Sequence, residues 1–310
     1  MKTLLLPVLL LCLALPAAAN AATWFEVEVL AFSRDDQSSE RWPDDTVPLS
    51  ARRGIDLLSP LWLPDTAAIY QAANGCNSTQ WLQDPEGCRQ KEQANQPPLP
   101  TQLPLVAAAK TLGNPAKGEA YLLPESMLQL GPQARQLARN GHTLLLHTGW
   151  QMPVYSRRSA SPVLLFGGRN FSETFEFDGR IKKRSETEEA SQPSYFSSEI
   201  LEPEMAVPVW QLNGWLNIYL DRYLFIEARL DLREPGERQW EREENEVSEL
   251  IQADSADDLD AADTPRASEP YLFTIRMDQN RRARSREIHY FDHPKMGLVV
   301  QIRRMAQPGE

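Results

Sequence analysis

Apolar and polar residues alternate through Thr23–Arg34, "TWFEVEVLAFSR": Phe25, Val27, Val29 and Ala31 share one face, and Trp24, Glu26 and Glu28 share the other. Period 2 with one apolar face predicts a half-buried strand, with Trp24 as core or edge packing. A long proline-rich stretch follows, from about Asp35 to Ala120, too rich in tryptophan for a simple tether. Within it "LLSPLWLPD" is expected to lay Leu58, Leu61 and Trp62 across the main domain, and "DTAAIYQAA" to form a helical turn capped by Asp65. Leu123–Gly141, "LPESMLQLGPQARQLARNG", carries an apolar stripe of Leu128, Leu130, Ala134 and Leu137 and stops at Asn140-Gly141. Gly131-Pro132 predicts that this helix is broken or divided in two. His142–Val154 reads as a buried strand, and Ser161–Gly168 and Phe171–Gly179 as shorter ones. Leu212–Glu234 reads as a strand pair, and "EPYLFTIRMDQ" and "GLVVQIRRM" as the last strands. The expected fold is α+β: a mostly antiparallel sheet with a β-α-β start, a long irregular proline-rich loop and a disordered acidic insertion.

Charge and composition refine this outline. Residues 1–21 combine Lys2, an apolar run too short to span a bilayer, and a small-x-small site at Ala19-Asn20-Ala21, which predicts a cleaved signal peptide. Cys12 follows Leu11 rather than a small residue, so no lipidation is expected there. Residues 22–310 then form a single domain of one exported chain. Cys76 and Cys88, flanking a stretch rich in turn formers, read as one local disulfide that stabilises by about 3 kcal/mol. The formal net charge of −11 is unevenly spread. Residues 236–270 hold twelve acids against three arginines, whereas 281–304 hold seven bases against two acids. The acidic stretch has too little apolar surface to offset its ordering entropy. The overall acidity argues against bulk nucleic-acid binding.

Candidate chemistry concentrates in "RRARSREIHYFDHPKMGLVVQI", residues 281–302. In a strand, Arg282, Arg284 and Arg286 share one face, and guanidinium forks bind carboxylates. Two readings stay open: a ligand clamp, or arginines that solvate an edge and pair with Glu287, Asp278 or the acidic insertion. His289 and His293 have H-x-x-x-H spacing, and with Asp292 they could meet in a metal site of a metal-dependent hydrolase. A zinc protease needs glutamate directly after the first histidine; here Tyr290 stands there, and Pro294 biases His293 away from helix. The blander reading is a turn at "YFDHPKMG", with Asp292 bonding backbone and Gly297 supplying an unusual dihedral. His147 reads as a satisfied core histidine. No nucleophile elbow, P-loop, GxGxxG or CxxC occurs.

The order "WFEVEVLAFSR", "RWP", "LLLHTGWQMPV", "LNGWLNIYLDRYLFIEARLDL" and the terminal arginine–HY-DHP–G motif resembles the CsiV family of periplasmic peptidoglycan-binding proteins of Gram-negative bacteria. The resemblance implies a non-catalytic role in cell-wall assembly. It also implies a partner, the outer-membrane lipoprotein that activates a bifunctional penicillin-binding protein. It implies no catalytic residue, metal or cofactor. Peptidoglycan offers stem-peptide carboxylates and amino-sugar faces, so Arg282, Arg284, Arg286, His289 and Tyr290 are the expected ligand surface.

Overall fold

The computed structural model describes residues 22–35, 43, 46–49, 54–62, 76–94, 99–182, 208–239 and 268–308. The expected signal peptide, Trp42, the helical turn at 65–73 and residues 240–267 of the acidic stretch lie outside the described residues.

Two sheets face each other. The first has the strand order β2-β4-β1-β10-β9, with β3 also on β4. Its members are β1 (Thr23–Ser33), β2 (Val106–Ala107), β3 (Tyr121–Leu122), β4 (Thr143–Val154), β9 (Ile288–Asp292) and β10 (Met296–Arg304). The second runs β5-β6-β7-β8 through β5 (Val163–Asn170), β6 (Trp210–Asp221), β7 (Tyr223–Gln239) and β8 (Ser268–Ala283). Neighbours are antiparallel except for the two-residue contact of β2 with β4. β1 lies between β4 and β10, so the first and last long strands sit side by side in mid-sheet. The period-2 pattern explains the sandwich. Val27, Trp150 and Val300 from the first sheet meet Leu165, Ile226 and Leu230 from the second in one core. Each fully buried aliphatic side chain contributes about 1.5–3 kcal/mol there.

The opposite face of β1 is also covered, by a helix. The segment expected as a divided helix is a 3-10 turn at Glu125–Met127 followed by α3 (Gly131–Arg139). Pro132 lies in its first turn, where a missing N–H costs nothing, so proline starts this helix rather than breaking it. Leu130, Ala134 and Leu137 pack on Leu30, Phe32 and Val299. The β1–α3–β4 order is therefore as read, with the two strands antiparallel neighbours.

Several expectations need correction. Phe171–Gly179 is not a strand but a run of turns: Thr174 and Phe175 donate backbone bonds to Phe171 O, and Gly179 has φ 92°. Phe171 and Phe175, four apart, suit a turn rather than a pleat, and they close a small cluster with Val209 and Leu272. Leu58 is buried and Trp62 packs edge-on to Phe166 and Trp210, but Leu61 is exposed. The ends of the stretch assigned to the acidic insertion are strand: β7 and β8 stay paired out to Gln239 and Ser268. Cys76 and Cys88 are bonded, with Cα atoms 5.7 Å apart. The turn-rich residues between them hold α1 (Ser78–Gln83), capped reciprocally by Asn77 and Gln80, and α2 (Pro85–Ala94) begins just before Cys88.

Candidate ligand-binding surface

The C-terminal arginines do not form one strand face. β8 ends at Ala283, and residues 284–287 turn into β9. Arg286 makes that turn with φ 73°, an uncommon conformation for a residue with a Cβ, while its N–H donates to Ile302 O at 2.7 Å. Only Arg282 is on a strand. It pairs with Phe225, points away from the core, and lies 3.5 Å over the Tyr223 ring. Arg284 and Arg286 sit in the turn, exposed, Arg284 reaching Glu287 at 3.6 Å. Tyr290 belongs to the outer face of the other sheet, stacked on Phe32. The turn therefore sends Arg282 and Tyr290 to opposite outer faces of the sandwich.

The histidines and Asp292 have separate local roles. His289 Nε2 lies 3.2 Å from Arg284 N and 3.1 Å from its O, tying the turn together. His293 Nδ1 accepts from Lys295 N at 3.2 Å in the β9–β10 turn. Asp292 is held by Arg34 at 2.5 Å and by the Tyr290 hydroxyl at 3.1 Å; Arg34 also bonds the Tyr290 hydroxyl. Burial works against the Asp292 anion, but these donors and the positive charge of Arg34 keep its carboxyl below the usual range. Asp292 thus bonds side chains, not the backbone ahead of Pro294. No group of three or more His, Cys, Asp or Glu among the described residues is arranged to hold a metal. Gly297 is required for a reason other than dihedral freedom: a Cβ there would stand 2.3 Å from Phe32 Cζ.

Arg281, beside the predicted set, closes the sandwich. Its guanidinium donates to Tyr290 O at 2.8 Å and lies over Phe291, and Gln279 donates to Asp292 O at 2.7 Å. These bonds occupy carbonyls on the outer side of β9, the edge of its sheet, a placement that blunts edge pairing.

Glu28, one of the polar positions of β1, proves to be the best-connected ionisable group. It is fully buried, accepts from Gln129 N (2.8 Å), Leu130 N (2.7 Å) and Arg303 Nη1 (2.5 Å), and meets His147 Nε2 at 2.9 Å. Glu26 joins the network through Arg303 Nε at 3.1 Å and Gln151 at 2.7 Å. Burial raises the Glu28 carboxyl, yet the bonds from His147, Arg303 and the two amides outweigh it and hold it down to about 2. Leu130 precedes α3 with no side-chain cap, so Glu28 serves as a distant one and complements the helix dipole. His147 is the satisfied core histidine expected.

Clefts lie away from the 284–287 turn: one of about 510 Å³ beside Arg180 and Tyr271, and others at the end of the sandwich where β1 begins and β4 and β10 finish. Two clefts of about 790 and 430 Å³ adjoin there, sharing Gly118, Pro153 and Tyr155. The larger is floored by Trp24 and Phe25 and carries Arg304; the smaller lies over Leu57 and Ile218 and carries Asp56 and Glu119. No local motif marks these residues, because they come together only through strand order.

The sequence model of the family described as "Peptidoglycan-binding protein, CsiV" matches residues 3–305, nearly the whole chain, and the chain belongs to that family. No curated protein and no solved structure matches it. No helix among the described residues is long and apolar enough to cross a membrane.

Proposed function

We propose that this protein is an exported, non-catalytic factor that binds peptidoglycan in the periplasm and supports cell-wall assembly. The observation that carries the reading is the family match over residues 3–305. The Cys76–Cys88 disulfide supports an oxidising compartment. The separate local bonds of His289, Asp292 and His293 favour binding over metal-assisted hydrolysis. The arginine surface is retained in reduced form: Arg282 and Arg286 are exposed and pair with no described carboxylate, and Tyr290 is set apart from them. The proposed protein partner is the outer-membrane lipoprotein activator of a bifunctional penicillin-binding protein.

Co-sedimentation with purified sacculi at several salt concentrations tests the reading. Retention with no release of soluble muropeptides is expected. Failure to sediment at low salt refutes wall binding, and zinc-dependent muropeptide release refutes the non-catalytic assignment. Pull-down of the lipoprotein by the purified protein tests the partner, with no capture counting against it.

A further inference from the structure

We propose that the paired clefts at the Tyr155 end of the sandwich bind a short peptide carrying both a free ammonium and a carboxylate, the chemistry of a peptidoglycan stem peptide. The inference rests on the peptidoglycan-binding reading and gives it a location.

Charge is the first argument. The two lobes share a wall at Gly118, Pro153 and Tyr155 yet present opposite signs, Arg304 in one and Asp56 with Glu119 in the other. Arg304 and Glu119 are exposed, and neither forms an ion pair with any described residue. Asp56, which lines the smaller lobe, is fixed by accepting from Leu58 N (3.0 Å) and Ser59 N (2.9 Å), both at Oδ1. A ligand of single sign satisfies one lobe and is repelled by the other. An amphoteric peptide satisfies both, with a guanidinium for its carboxylate and carboxylates for its ammonium.

Shape and preorganisation agree. Tyr155 directly follows β4, and its carbonyl accepts from Leu220 N at 2.8 Å. Tyr155 is 41 % exposed where the lobes join, and a tyrosine there can offer an apolar face and a hydroxyl to a bound chain. Gly118, at φ 74°, has no atom within 4 Å of where a Cβ would stand, so the junction stays open above it. Trp24 and Phe25 of β1 and Ile218 of β6 give the lobes apolar, strand-borne surface, so binding orders few side chains.

The experiment measures affinity for a soluble disaccharide-peptide bearing a free amine by calorimetry, alongside sacculus co-sedimentation. It compares wild type, Arg304→Gln, Glu119→Gln and Tyr155→Ala, with Arg139→Gln on α3 as the distant control, Arg282→Gln as the probe of the arginine surface, and circular dichroism to confirm folding. Each cleft variant is expected to lose about tenfold in affinity, and the control none. Acetylating the peptide amine should weaken wild type and leave Glu119→Gln no weaker than before. Wild type that binds sacculi while all three cleft variants bind equally well overturns the location and spares the peptidoglycan reading. Wild type that binds neither ligand overturns both. Loss of binding in Arg282→Gln alone moves the site to the outer face of the second sheet and overturns this proposal.

Discussion

Glu28 gives the sharpest test of how this fold is held together. Its carboxylate has 0 % exposure and bonds with Arg303, His147 and the amides of Gln129 and Leu130. Its pKa falls from an ordinary 4.5 to about 2. A carboxyl lowered that far contributes about 3 kcal/mol of stability near neutrality. Above the unfolded value of 4.5 both states are ionised and the contribution is complete; it is lost as pH falls from there towards 2. Glu28→Gln keeps the shape and removes the charge, leaving buried Arg303 with Glu26 as its only acidic partner among the described residues. The expected cost is about 3–5 kcal/mol at pH 7, the scale of a broken buried pair. Urea unfolding from pH 7 to pH 3 is the assay. Wild type should lose stability steeply below pH 4.5, and the variant should start lower with a flatter slope. Adding Arg303→Met should destabilise by less than the sum of the single changes, since both partners leave together. A Glu28→Gln variant within 1 kcal/mol of wild type, with an unchanged acid slope, would refute the claim that this network anchors α3 to the first sheet.

Gly297→Ala sets a methyl against the Phe32 ring and should cost about 1–3 kcal/mol; adding Phe32→Leu should restore part of that loss in thermal unfolding. Replacing Cys76 and Cys88 by serine should leave the main unfolding transition within about 1 kcal/mol, rather than removing the ~3 kcal/mol of loop-closure entropy from the whole domain, because the main contact of α1 and α2 is with each other. Proteolysis near α1 should instead accelerate, and a collapse of the main transition would show that the bridge serves the sandwich. Arg281→Ala with Gln279→Ala frees the carbonyls of Tyr290 and Asp292 on the edge of β9. Concentration-dependent self-association by light scattering is expected, and a strictly monomeric double variant would contradict the edge-capping role.

The strands were legible because one face of each is buried against the other sheet, which imposes period 2 on Phe25–Ala31 and Leu212–Leu220. The division of the 123–141 segment was legible in Gly131-Pro132, which open α3 after the 3-10 turn at Glu125–Met127. Part of what escaped depends on partners distant in sequence. Glu28 looks like an ordinary solvent-facing position until α3 and Arg303 close over it. The arginine stripe failed for a more local reason. Arg282, Arg284 and Arg286 share a face only if the chain stays extended, and Arg286 instead adopts φ 73° with no glycine to announce it. The turn moves Tyr290 to the far side of the sandwich, leaving the basic motif as a structural corner with Arg282 and Arg286 at its surface. The clefts at Tyr155 follow the same logic from the other direction. Arg304, Asp56 and Glu119 are unremarkable in sequence, and become a charge-matched pair of lobes only because β1 and β10 are neighbours and the 54–62 segment pairs with β5. A site made by topology rather than by a motif is what a fold offers for holding a polymer, where extended shape complementarity matters more than a few reactive atoms.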